Sequence, residues 1–150
     1  MLPIEENSRV PEIERLGLSL PVVQLATGKS PTKLFADCVE PYMLYRGMPW
    51  TGDPIFVPLW KCFDTVTAVQ ERDGKLEFFA FSVESPLSWW ALARSEQGLL
   101  ATLFFGPLNE WYEDTDEFRQ RIEEEAASFG FGFVRQADSI LEAHASRGYD

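Results

Sequence analysis

A chain of 150 residues with 45% hydrophobic and 14% aromatic content is the size of one domain and can bury a proper core without staples. Its net charge of −11 excludes a broad binding face for nucleic acid or an anionic membrane. That charge favours basic proteins, cations or neutral ligands as partners, and it also serves solubility alone.

Cys38 and Cys62 are the only cysteines, too few for a disulfide framework and in no Cys-x-x-Cys spacing, so both are expected to be reduced. The first residues carry Pro3, Glu5 and Glu6 where a signal peptide would be basic and then apolar. No apolar run approaches the ~20 residues of a membrane span. The expectation is a cytoplasmic protein.

Residues 1–15 are polar and predict a frayed arm or a short surface helix ahead of a domain over 16–150. Leu16, Leu18, Leu20, Val22, Val23 and Leu25 form an apolar run broken by Pro21, which reads as an edge strand or extended crossing. Ser30 and Pro31 form a helix start, followed by Leu34, Phe35, Cys38 and Val39 at amphipathic spacing. Gly47, Pro49, Gly52 and Pro54 mark a loop that holds Trp50 and Asp53.

Ile55 to Trp60 is apolar throughout, but Pro58 demotes it to an edge or bulged strand. Two better strands flank Asp73 and Gly74, a pair suited to a type I′ turn because both central residues need positive φ. That turn sets Val66 opposite Phe81 and Ala68 opposite Phe79, with Val83 next on the same face. The other face carries Thr65, Thr67, Val69, Phe78, Ala80 and Ser82 and reads as mixed and partly covered.

Ser85 and Pro86 repeat the helix-start signal, and Trp89, Leu92 and Ala93 share one helical face. A helix opening on two tryptophans is therefore expected over 86–105, interrupted at Gly98 and stopped by Gly106 and Pro107. Asp114 with Glu117 resembles a capping box for a helix through Phe118, Ile122, Ala126 and Phe129. A last short helix is expected over 136–145. These elements predict an α+β single domain: a central antiparallel sheet containing a 64–84 hairpin, with flanking helices.

Chemistry-bearing constellations are scarce. His144 is the only histidine, so the common zinc sites and imidazole-based triads cannot be assembled. Gly130 and Gly132 follow a helix where a phosphate-binding loop would precede one. No cofactor is expected. Glu110, Glu113, Asp114, Asp116 and Glu117 could pair for acid–base work, but a charge run at a helix start is usually solvated.

The same run reads better as a partner-binding face. Residues 110–125 hold eight acids and two arginines. Trp111 and Tyr112 sit among Glu110, Glu113, Asp114, Asp116 and Glu117, as aromatic anchors ringed by charge do at interfaces. Trp50 and Asp53 form a second candidate contact. Trp60, Trp89 and Trp90 read as core, with Trp90 also able to line a groove for a small ligand or peptide.

Phe56, Val57, Pro58, Leu59 and Trp60 ahead of a Thr-Val-Thr strand resemble the sheet segment of the bacterial SUKH superfamily. Ser95, Glu96, Gln97, Gly98, Leu99 and Leu100, running into Leu103, Phe104 and Phe105, resemble the helix that follows. An Ala-containing helix ending at Gly130 and Phe131 is similar to the tail of that pattern. The resemblance covers roughly residues 55–131. It implies an α+β fold and a non-enzymatic role, most often immunity: neutralising a toxin delivered by a competing bacterium. The acidic surface suits a basic toxin domain as partner. A small-ligand or peptide-binding adaptor, or a carboxylate-dependent enzyme, are the competing readings, and the oligomeric state stays open.

Overall fold

The computed structural model describes residues 2–29, 38–39, 55–106 and 115–128. Their order is β1 (Leu2–Pro3), α1 (Glu6–Arg15), α2 (Leu20–Ala26), β2 (Cys38–Val39), β3 (Ile55–Cys62), β4 (Thr65–Arg72), β5 (Lys75–Ser82), β6 (Ser85–Ala93), α3 (Glu96–Gly106) and α4 (Asp116–Ser128). The fold is α+β, as the alternation of patterns predicts. Two compact units divide the chain, Met1–Ala91 and Leu92–Asp150. No helix among the described residues is long and apolar enough to cross a membrane.

The first unit is a sheet in the order β1-β3-β4-β5-β6, with β2 also paired to β3. The β4–β5 hairpin has the register that the Asp73–Gly74 turn dictates. Val66 faces Phe81 and Ala68 faces Phe79, and both turn residues have positive φ, 54° and 73°. Phe56 joins these four residues in the core cluster, with Val83 packed against it. The Phe56 ring meets Phe79 and Phe81 edge-on at 5.5 and 5.7 Å, the geometry favoured by aromatic quadrupoles. The opposite face of the hairpin is mixed in composition and covered at its centre: Thr67, Val69, Phe78 and Ala80 are buried, while Thr65 and Ser82 are half-buried.

β3 is a bulged strand. Its pairing with β4 shifts register between Pro58 and Trp60, so Leu59 is the extra residue. On its other edge β3 pairs with β1 at Ile55 and Phe56 and with β2 at Lys61 and Cys62. Pro58 and Leu59 lie in the gap between those two short strands.

Residues 2–15 are built into this unit. Pro3 pairs with Phe56, and α1 buries Arg9 and Ile13. The Arg9 guanidinium donates to the carbonyls of Pro58, Leu59 and Ala26. It thus joins α1 to the bulge and to the last residue of α2, where helix carbonyls carry partial negative charge.

Three expectations are corrected. The run containing Leu20–Leu25 is helix α2, not an extended edge. Ser19 takes the N-cap position and Pro21 falls in the first turn, where a missing N–H costs nothing. Cys38 and Val39 form β2 instead of ending a helix. Residues 85–93 are strand β6, so the tryptophans do not open a helix.

In the second unit, α3 begins after Ser95, whose Oγ accepts from the Gly98 N–H at 3.1 Å, and it runs through Gly98 without a break. Leu99, Leu100 and Ala101 are buried. The helix expected after Asp114 is α4, and it starts at Asp116 with Thr115 in the N-cap position. It buries Ile122 and Ala126, one turn apart. The helix expected over 136–145 lies outside the described residues.

Candidate functional site

Among the described residues β6 has one strand neighbour, β5, so no described strand pairs with the backbone donors and acceptors of its outer edge. Proteins usually blunt such an edge with charge. β6 reads Ser-Pro-Leu-Ser-Trp-Trp-Ala-Leu-Ala and carries none over nine residues. Only Pro86 interrupts its hydrogen-bonding capacity.

Three large apolar side chains stand out from it: Leu87 is 62% exposed, Trp89 48% and Trp90 45%. Trp89 is anchored on one side. Its ring lies edge-on to Phe79, with centroids 5.8 Å apart and planes at 69°. Phe79 is itself 1% exposed and belongs to the core cluster. One side of the Trp89 indole is thus held by the rigid hairpin while much of the rest meets water. Trp90, next along the strand, projects to the opposite face. β6 therefore presents an aromatic residue on each side of a backbone edge that no described strand covers.

This corrects the sequence-based expectation for both tryptophans. Trp60 is core, at 2% exposure, but Trp89 is not. Trp90 sits on a strand instead of lining a groove from a helix. The signal that could have revealed this was present: adjacent tryptophans favour a pleated surface over a helix.

The acidic face is only partly in view. Asp116 and Glu117 lie in the first turn of α4 and are exposed, where the helix dipole favours negative charge. Gln120, Arg121 and Glu124 are exposed along the same helix. Glu110, Trp111, Tyr112, Glu113, Asp114, Trp50 and Asp53 fall outside the described residues. Among the described residues no group of three or more His, Cys, Asp or Glu side chains could hold a metal ion.

A separate exposed charge cluster ties α1 to the hairpin. Arg15 bridges Glu12 at 2.6 Å and Glu71 at 2.7 Å. The hydrogen bond from Arg15 holds the Glu12 carboxyl below its ordinary value of 4.5, and the bonds to Glu12 and Glu71 raise the Arg15 pKa further. Comparison of the chain with family models, with curated proteins and with solved structures finds no match.

Proposed function

We propose that this chain is a non-enzymatic binding protein that captures a basic protein, in the manner of an immunity-type neutraliser of a toxin domain. β6 supplies the aromatic part of its contact surface. The observation that carries this reading is the half-exposed Trp89, held against Phe79 beside a strand edge that no described strand pairs with. An indole that is already ordered loses little freedom on binding, and tryptophan is the residue type that most often dominates interface energetics. That edge can add a partner strand through main-chain hydrogen bonds, while the exposed side chains of Leu87, Trp89 and Trp90 give selectivity.

The net charge of −11 supports a basic partner, because complementary charge raises encounter rates and rejects acidic competitors. The exposure of Asp116 and Glu117 also favours this reading over carboxylate catalysis, which needs at least one acid shielded from water.

The test is capture by the immobilised chain from lysates of its host and of competing bacteria, at low and high salt, beside a Trp89→Ala/Trp90→Ala variant. The expected result is a basic protein retained at low salt, released at high salt and lost from the variant. Equal retention by both proteins would remove β6 from the contact surface. Retention indifferent to salt would remove the electrostatic part of the reading.

A further inference from the structure

We propose that Cys38 and Cys62 are a modification site: a dithiol poised to close into a reversible cross-strand disulfide joining β2 to β3. The proposal is independent of the binding function. It rests on the register, in which Cys38 of β2 is the direct antiparallel partner of Cys62 of β3, followed by Val39 opposite Lys61. Directly opposed residues of an antiparallel pair have Cα atoms about 4.5 or 5.5 Å apart, depending on their hydrogen bonding. Both separations lie inside the roughly 4.4–6.8 Å that a disulfide spans. Opposed side chains also leave the sheet on the same face, which brings the two Cβ atoms beside each other. The chain has no other cysteine, yet these two residues, far apart in sequence, are paired at one ladder position.

Burial sets the order of events. Cys38 is 7% exposed, whereas Cys62 is half-buried. Cys62 is therefore the thiol that meets an oxidant, and Cys38 is the one that resolves. With a small disulfide such as oxidised glutathione, the Cys62 thiolate attacks one sulfur and expels a glutathione thiolate, leaving a mixed disulfide. The Cys38 thiol then loses its proton, attacks Cys62 Sγ and expels the second glutathione. The protein loses two protons and two electrons, and one oxidised glutathione becomes two reduced ones. A dithiol reductant reverses the sequence.

A crosslink between residues 38 and 62 restricts the unfolded chain more than the folded one, whose register already holds the pair together. Oxidation should therefore raise thermal stability.

The experiment treats the fully reduced, folded chain with oxidised glutathione near pH 8, where a substantial fraction of ordinary thiols is ionised, about the thiol pKa of 8.5. Intact mass is read without reductant, alongside thiol titration and thermal melting. The expected product is a monomer lighter by two hydrogens, with no titratable thiol and a higher Tm, restored by dithiothreitol. A Cys38→Ser variant, checked by circular dichroism for native structure, should stop at a glutathione adduct on Cys62. Three results would overturn the proposal: thiols that stay reduced, a stable glutathione adduct on the unmutated chain, or a disulfide that forms only in urea.

Discussion

Arg9 Nε donates to the Pro58 carbonyl at 2.7 Å, placing a guanidinium from α1 against the register shift of β3. Its Nη2 reaches the Leu59 and Ala26 carbonyls as well. A bulge turns carbonyls out of the ladder, and here the gap between β1 and β2 holds no described strand partner on that side of β3. A charged donor with a forked geometry satisfies them. Arg9 is 3% exposed, so the arrangement is a buried polar network whose members depend on one another.

Arg9→Met should therefore destabilise the protein by about 3 kcal/mol, because hydrogen bonds to charged groups contribute about 1.5–3 each and the carbonyls would be left unpaired. Arg9→Lys should lose less, since the ammonium keeps the charge but not the fork. Urea unfolding at neutral pH measures both. A loss below about 1 kcal/mol for Arg9→Met would mean that water replaces the guanidinium at the bulge.

Two of the hairpin turns make opposite predictions. Gly74 has φ +73° and a Cβ added there would meet nothing within 4 Å, so Gly74→Ala tests backbone strain alone. It should cost about 1 kcal/mol. Phe63 already carries that strain, with φ 55° in a residue that favours extended backbone. Its side chain is 58% exposed. Phe63→Gly should raise stability by about 0.5 kcal/mol, the relieved strain exceeding the added freedom of the unfolded chain. A fall in the urea midpoint of Phe63→Gly would show that the ring contributes more than its backbone costs.

These turns also explain which parts of the fold can be read from sequence. Asp73–Gly74 specifies a turn type, and a turn type specifies register, so Val66–Phe81 and Ala68–Phe79 follow without tertiary information. Proline is the ambiguous residue. Pro21 after Ser19 and Pro86 after Ser85 present nearly the same local signal, yet one lies in the first turn of α2 and the other near the start of β6. A missing N–H is harmless in both places, so local chemistry cannot separate them. Arg9 was hidden for a different reason. Its partners are 49, 17 and 50 residues away, and they are backbone carbonyls that no side-chain pattern records. The candidate site was half visible: Trp89 and Trp90 stand out in composition, but their exposure depends on the strand order that leaves β6 at the edge.

The Arg15 cluster predicts a small acid dependence with a definite sign. Glu12 is held below its ordinary value of 4.5 chiefly by the Arg15 hydrogen bond. A depressed carboxylate contributes stability that is fully present above the unfolded value and disappears as pH falls through the folded one. The Arg15 side chain is 57% exposed, so solvent and salt screen the gain. The difference in urea midpoint between the unmutated chain and Arg15→Ala should be small at neutral pH, shrink as pH drops below 4.5, and shrink again in high salt. A difference that grows on acidification would reverse the assignment.

Phe79 and Trp89 touch, yet they should fail in different assays. Phe79 is fully enclosed by the core cluster, and Phe79→Ala should cost about 3–5 kcal/mol of folding stability, the range for deleting a buried aromatic ring. Trp89 gives the fold less: its edge-on contact adds about 0.5–1.5 kcal/mol to the burial of only part of its ring, because nearly half of it is already in water. On the proposed binding surface the same indole becomes fully desolvated, and Trp89→Ala should weaken partner affinity by at least about 30-fold, corresponding to an interface anchor of about 2 kcal/mol. Titration calorimetry against the captured partner, beside urea melts of both variants, separates the two roles. If Trp89→Ala loses stability as Phe79→Ala does and leaves affinity unchanged, the tryptophan is an outlying part of the core and the partner docks elsewhere.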